Sequence, residues 1–318
     1  MKKNILIVGD EIDPHISSVC KHLKDYDANF ILLNPVNSDE GNIAYSYSPF
    51  EILFSNKHST VNSNKIDSVW WRLKPNIRKY PTNMDEVETS NFITREWQLA
   101  LEPLSYFLAH CNWINKRSSD HLIRNKPYQL YQAVTNGFTI PQSIISNNFA
   151  SIIEKTKEFD EVIYKPLGYF ISPPNKILFS NKMTKEELNA SQQNISLTPC
   201  IFQNYIDKDF ELRITIVLET VFAVKILSQE NIDSKFDWRR NQFHIKYELF
   251  ELDITFQQKL IRFHKSLDLI YGAYDFIVDK AGNYIFLEVN PAGQWLWLER
   301  ELNVEISKQI AKTLLQIN

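Results

Sequence analysis

Asp275-Phe276-Ile277-Val278 followed by Glu288-Val289-Asn290-Pro291 is the stretch on which the reading of this chain turns. Tyr274–Val278 and Tyr284–Val289 are rich in β-branched and aromatic residues, and Lys280-Ala281-Gly282-Asn283 between them has turn chemistry. A four-residue loop there pairs Asp279 with Tyr284, and hence Asp275 with Glu288. Side chains alternate along a strand, so Phe286, Glu288 and Asn290 are expected on one face, joined by Asp275, with Ile285, Leu287 and Val289 on the other. A slip of one residue would separate the carboxylates. The side chains of Asp275, Glu288 and Asn290 offer only oxygen ligands at this corner, which suits a hard divalent cation such as Mg²⁺, the usual escort of nucleotide phosphates. An ATP-dependent enzyme is therefore the leading reading; a surface hairpin with scattered solvated charges competes with it.

The chain has 318 residues, room for two or three packed units, with 44% hydrophobic and 23% charged residues. A net charge of −3 lacks the basic excess of a general nucleic-acid binder. Cys20, Cys111 and Cys200 are far apart and form no CxxC pair, so they read as thiols of a reducing compartment. The seven histidines form no HxxxH or HxH cluster, which argues against zinc. The apolar run Ile5–Val8 is too short for a signal peptide, and no uncharged stretch reaches membrane-spanning length. A cytoplasmic protein is expected.

Outward from the hairpin, the pattern divides into three α/β units. Residues 4–9 read as a buried strand, Asp13–Leu23 as a helix and Phe30–Leu33 as a second strand, a βαβ opening that predicts a parallel sheet. Gly9 stands alone there, so no dinucleotide fingerprint is present. Strands are expected near Ile43–Tyr47, Glu51–Phe54 and Ser68–Arg72, and a long helix over Asn91–Leu108, with the first unit closing near residue 115. The second unit, 116–199, opens with a largely helical Ser118–Val134 and contains a strand at Val162–Lys165 and a helix over Thr184–Gln193, with Thr184 and Glu187 spaced as a capping box. The third, 200–318, holds a strand over Ile201–Ile206, an antiparallel pair Leu212–Leu218 and Val221–Leu227, a helix Phe256–Leu269, the acidic hairpin and a C-terminal helix.

Other residues can serve the same chemistry. Lys165 ends an apolar strand before Pro166, and Lys126 lies near the helix that opens the second unit; either ammonium could meet a phosphate. Gln203-Asn204-Tyr205-Ile206 offers a strand end whose backbone could meet adenine. Glu211, Arg213 and Thr215 share a face. Lys225 joins them if the following turn closes with three residues, and points away if it closes with two. Asp237-Trp238-Arg239-Arg240 brings arginine forks that match phosphate or carboxylate, though a surface ion pair is the plainer reading.

Taken in order, Lys126, Lys165, Gln203-Asn204-Tyr205-Ile206, Glu211-Leu212-Arg213, Asp275 and Glu288-Val289-Asn290-Pro291 resemble the ATP-grasp ligases. Val69-Trp70-Trp71-Arg72, Val221–Val224 with Ser228-Gln229, Asp237-Trp238-Arg239 and Asn290-Pro291-Ala292-Gly293-Gln294-Trp295-Leu296-Trp297 resemble, more narrowly, the microviridin-type macrocyclases that mature graspetides. Asn204 stands where that family carries glutamate, and the loop Leu167-Gly168-Tyr169-Phe170 has a single glycine.

The resemblance implies an ATP-grasp fold whose N-terminal parallel-sheet unit, 1–115, precedes a central unit, 116–199, and a C-terminal unit with the metal site, 200–318. It implies ATP between the last two units, Lys126, Lys165 and Lys225 toward the nucleotide, Gln203, Asn204, Tyr205 and Ile206 at adenine, and Asp275, Glu288 and Asn290 on Mg²⁺. Arg213, Arg239 and Asp237 would handle the transferred phosphoryl group and the acyl phosphate. The implied substrate is a ribosomal precursor peptide with leader and core, the leader meeting the 212–227 hairpin and a helix near 184–194, and the implied assembly is a homodimer. A ligase that adds amino acids to a peptide or protein, and a non-catalytic nucleotide-binding regulator, are the alternatives.

Overall fold

A computed structural model of the chain describes residues 2–35, 41–73, 84–168, 171–172, 176–177, 180–230, 235, 238–240 and 244–317. The first unit opens with β1 (Asn4–Val8), α1 (Pro14–Asp25) and β2 (Asn29–Leu33). Asp13 caps α1 by accepting from the His15 N–H, and Pro14 occupies the first turn, where no amide proton is needed. β3 (Asn42–Tyr47), β4 (Phe50–Ser55) and β5 (Thr60–Asn62) form a separate antiparallel sheet. β6 (Ser68–Trp71) and β7 (Asn112–Ile114) complete the expected parallel sheet in the order β2-β1-β6-β7. The long helix expected over Asn91–Leu108 is two pieces, α2 (Met84–Leu101) and α3 (Leu104–Phe107). Pro103 lies at the break, because its ring cannot donate to the helical ladder.

In the second unit α4 (Arg117–Ile123) and α5 (Lys126–Thr135) precede β8 (Ser143–Ser146), α6 (Phe149–Thr156), β9 (Val162–Lys165), β10 (Ile171–Ser172), β11 (Lys176–Ile177) and β12 (Asn181–Met183). α7 (Lys185–Ala190) carries the complete Thr184–Glu187 capping box, and α8 (Gln192–Ile195) leads to β13 (Cys200–Asn204). The sheet order is β12-β9-β13-β8. Hydrogen bonding thus puts Cys200–Asn204 in the central sheet, so we propose the division into units after Asn204 in place of 199/200.

The third unit contains β14 (Lys208–Val217), β15 (Thr220–Ile226), β16 (Tyr247–Leu249), α9 (Ile254–Ser266), β17 (Tyr271–Asp279), β18 (Tyr284–Asn290), α10 (Leu296–Leu302) and α11 (Ile306–Leu315), with sheet order β16-β15-β14-β17-β18. The β14–β15 turn closes with two residues, since Val217 pairs with Thr220; this sets Lys225 opposite Leu212. The β17–β18 turn is one residue longer than expected: Val278 pairs with Tyr284, and Asp279 accepts from the N–H groups of Ala281 and Asn283 while Gly282 takes a φ of +83°. A bulge at Leu287 then returns the register, so Asp275 faces Glu288 after all. The bulge also changes the faces. Phe286 and Val289 both lie in one core, whereas Leu287 and Glu288 both open onto a cleft. The expected shared face of Phe286 and Glu288 is therefore corrected.

The large sheet is packed on both sides. Leu212, Ile214, Phe276 and Phe286 meet Leu130 and Ala133 of α5 and Leu260 and Phe263 of α9. Val217, Tyr271 and Ala273 share the other core with Ile5, Ile7, Ile16, Trp70 and the α11 residues Ile310 and Leu314. The C-terminal helix thus joins the first unit to the third. Among the described residues no helix is long and apolar enough to cross a membrane, and Cys20, Cys111 and Cys200 are free thiols.

Candidate functional site

One row of residues crosses the large sheet: Val224, Arg213, Asp275 and Glu288 sit opposite one another on β15, β14, β17 and β18. Directly opposed residues share a face, so the Arg213 guanidinium meets Asp275, with Nη1 donating to both carboxylate oxygens at 2.9 and 3.1 Å. Glu288 stands beside this pair. Its other neighbours arrive from elsewhere in the chain: Lys126 Nζ at 3.5 Å from the start of α5, and Arg239 Nη1 at 3.6 Å from a 3₁₀ turn. Trp238 fixes that turn by packing on Trp297, with ring centroids 5.1 Å apart.

A cleft opens over the Asp275–Glu288 end of this row, lined by residues of the second and third units. It gathers Lys126, Lys165, Gln203, Asn204, Tyr205, Ile206, Arg239, Asp275 and Glu288, residues spread over about half of the chain. Lys126 Nζ also donates to the Pro166 carbonyl, which ties α5 to the end of the Lys165 strand. Along β13, the Gln203 amide donates to Ser143 Oγ, and Asn204 Oδ1 accepts from the Gln142 N–H. The Asn204 carboxamide oxygen therefore braces a neighbouring loop.

Two expected residues, Lys225 and Asn290, stand outside the cleft lining. Lys225 shares the face of Leu212, not that of Arg213, and its Nζ lies 4.3 Å from the Phe210 ring centroid. The two-residue turn is the cause, and it removes Lys225 from the cleft-facing row. Asn290 follows Glu288 at strand spacing, outside the cleft lining, and its Oδ1 accepts from the Ala292 N–H at 2.9 Å. Asp237 lies outside the described residues.

The structure adds residues that the linear pattern did not single out. Gln129, one helical turn after Lys126, is buried against Val289 between the two expected ligands of β18. Lys208 is also new: it forms a buried ion pair in the cleft wall with the already expected Glu211, which accepts from Ser228 Oγ at 2.9 Å. The helical spacing of Lys126 and Gln129 was a usable signal; nothing local marks a lysine as buried.

Electrostatics distinguish the two carboxylates. Burial pushes the Asp275 carboxyl up and Arg213 pulls it down, but the facing Glu288 adds to the rise, which prevails. Burial also pushes Glu288 up, yet Lys126, Arg239, Lys165 and Arg213 together hold it below the usual range. Lysines and arginines outnumber carboxylates around this end of the cleft, which suits a polyanion. The donor set also fits a hard cation: two carboxylates face each other on adjacent strands, with an amide oxygen two residues on. Among the described residues no three His, Cys, Asp or Glu side chains converge, here or elsewhere.

The fold is that of the ATP-grasp ligases. The chain is similar over 99% of its length to a RiPP-associated ATP-grasp ligase from Chryseobacterium gregarium in complex with ADP and a leader and core peptide (23% identity, 97% of that chain, TM-score 0.86). It is similar over 98% of its length to the macrocyclase MdnC from Microcystis aeruginosa, bound with precursor peptide MdnA (27% identity, 99% of that chain, TM-score 0.86). The ATP-grasp ligase PsnB, complexed with a precursor variant, Mg and ADP, aligns over 99% of both chains (20% identity, TM-score 0.77). No protein-family model and no curated protein sequence matches.

Proposed function

We propose that this chain is an ATP-dependent ligase that activates Asp or Glu side chains of a ribosomal precursor peptide and closes ω-ester or ω-amide rings with Ser, Thr or Lys of the same peptide. The observation that carries the reading is the opposed Asp275–Glu288 pair under a cleft ringed by Lys126, Lys165 and Arg239, with Arg213 buried against Asp275. The likeness to a peptide-bound macrocyclase across nearly the whole chain supports the choice of substrate.

A side-chain carboxylate is a poor acyl donor in water. Attack of its oxygen on the ATP γ-phosphorus forms a new O–P bond and breaks the bond to the bridging oxygen, releasing ADP and leaving an acyl phosphate. The peptide's hydroxyl or amine then attacks the acyl carbon, inorganic phosphate departs and the nucleophile's proton goes to solvent. No protein nucleophile is required; the protein's part is positioning and charge neutralisation. We assign Gln203, Asn204, Tyr205 and Ile206 to the adenine edge and Lys126 and Lys165 to the phosphates. Arg213 and Arg239 are assigned to the moving phosphoryl group, and Asp237 to their support. Mg²⁺ held by Asp275, Glu288 and Asn290 would neutralise phosphate charge and orient the phosphates. Lys225 is withdrawn from the nucleotide set.

The same reading carries a leader site at the β14–β15 hairpin and α7, a homodimer and a cytoplasmic location, where ATP and Mg²⁺ are available and free thiols persist. The test is incubation with the precursor peptide encoded beside this gene, ATP and Mg²⁺, followed by mass spectrometry. Loss of one water per ring with matching ADP release is expected. An unchanged peptide with intact ATP would sink the proposal, and a gain in mass would indicate addition of amino acids instead.

A further inference from the structure

The segment leaving the metal-site strand, Pro291–Trp295, is held by its backbone. The Pro291 carbonyl accepts from Asn115 Nδ2 at 3.0 Å, and the Ala292 and Gly293 carbonyls from Arg72 Nη1 at 2.9 and 3.3 Å. Gly293 also accepts from the Tyr271 hydroxyl at 2.9 Å, and Gln294 from Arg213 Nη2 at 3.3 Å. The Trp295 N–H donates to His15 Nε2 at 3.2 Å. Gly293 leaves no space for a side chain: a Cβ would lie 2.5 Å from Ala273 Cβ and 2.8 Å from Arg213 Nη2.

Arg72 and His15 belong to the first unit, and both are anchored by Asp13. Arg72 Nε lies 3.3 Å from Asp13 Oδ2, and His15 Nδ1 lies 2.8 Å from Asp13 Oδ1. All three side chains are buried, and the guanidinium carbon of Arg72 rests 4.8 Å from the Trp295 ring centroid. Burial raises the Asp13 carboxyl, but the His15 hydrogen bond and Arg72 more than reverse this, so it is an anion. A buried cation thus reaches from the N-terminal sheet to two carbonyls just beyond Asn290, in a segment that also contacts Arg213.

We infer that Arg72, backed by Asp13 and His15, is a positioning residue for the metal and phosphoryl end of the cleft. This rests on the ligase reading above. The N-terminal unit then sets where Asn290 and Arg213 sit, rather than only covering the sheet. Groups that orient metal ligands typically change metal affinity when removed, by roughly 10- to 100-fold.

The experiment compares Arg72→Met, Asp13→Asn and Ser68→Ala with the unaltered chain. Ser68 serves as the control, because its hydroxyl joins the first unit to the Leu314 carbonyl at 2.6 Å without touching the segment. Two readouts are taken: hydrogen exchange of the 292–295 amides without ligand, and ADP binding as a function of Mg²⁺. Faster exchange in this segment and a Mg²⁺ requirement raised roughly 10-fold or more are expected for Arg72→Met. Asp13→Asn should do the same to a smaller degree, and it serves in its place if Arg72→Met does not fold. Ser68→Ala should melt earlier yet keep the Mg²⁺ curve. Unchanged exchange at 292–295 overturns the clamp, and faster exchange with an unchanged Mg²⁺ curve overturns its positioning role. An unaltered chain that binds no Mg²⁺–ADP overturns the ligase reading and this role with it, an outcome visible before any variant is made.

Discussion

Gln129 engages both sides of the Val289 peptide: its Nε2 donates to the Val289 carbonyl at 3.0 Å, and its Oε1 accepts from the Val289 N–H at 2.9 Å. One side chain thereby does the work of a neighbouring strand at the outer edge of β18, where an open edge would otherwise be left. Thr139 covers the next free amide of that edge by accepting from the Phe286 N–H at 2.8 Å. Gln129→Ala leaves a buried donor and acceptor unpaired. The expected loss of stability is about 1–3 kcal/mol, with weaker Mg²⁺–nucleotide binding, since Val289 lies between Glu288 and Asn290. Thermal unfolding and titration calorimetry check the two effects separately.

Asp275→Asn removes the partner of Arg213, and Glu288→Gln that of Lys126 and Arg239. Each should lower Mg²⁺-dependent, peptide-dependent ADP release by about 100-fold or more, the scale of losing one preorganised charge-stabilising group. Activity at wild-type level in both variants would exclude the hairpin from the chemistry.

Lys225→Ala is expected to leave the KM for ATP within about twofold, as for a residue whose charge lies outside the site. The register sets Lys225 beside Phe210, away from the row of Arg213 and Asp275. A large rise in that KM would mean a different β14–β15 register in solution.

His264 is fully buried, with Nδ1 2.8 Å from the Tyr274 hydroxyl. Burial lowers its pKa from 6.5 to about 4. The unfolded chain therefore binds this proton at higher pH than the folded one, so stability is present near neutrality and is lost as pH falls from 6.5 toward 4. The loss is on the order of 3 kcal/mol. His264→Leu should be less stable at pH 7, through the orphaned Tyr274 hydroxyl, but should lose less between those pH values. Urea midpoints measured across that range decide it.

Much of the site could be read from linear spacing because its chemistry is carried by strand ends. The alternation of apolar residues marked β14, β17 and β18, and oxygen donors at fixed offsets marked the candidate metal corner. The Asp275–Glu288 pairing was expected from a loop one residue too short. It holds because the longer Asp279–Asn283 turn is offset by the bulge at Leu287. The face of Phe286 could not follow from alternation, because a bulge breaks alternation. Lys225 depended on a choice between two turn lengths, and the two-residue closure through Leu218 and Glu219 settles it.

By itself, the order of residues placed the main strands and helices and named side chains whose chemistry suits a cation or a phosphate, since periodicity and functional groups are local properties. Only the tertiary structure decided that Gln129 closes the edge at Val289 and that Arg72 grips the segment after Asn290. Buried polar groups must find partners wherever the packed chain brings them, and those partners lie 160 and 220 residues away.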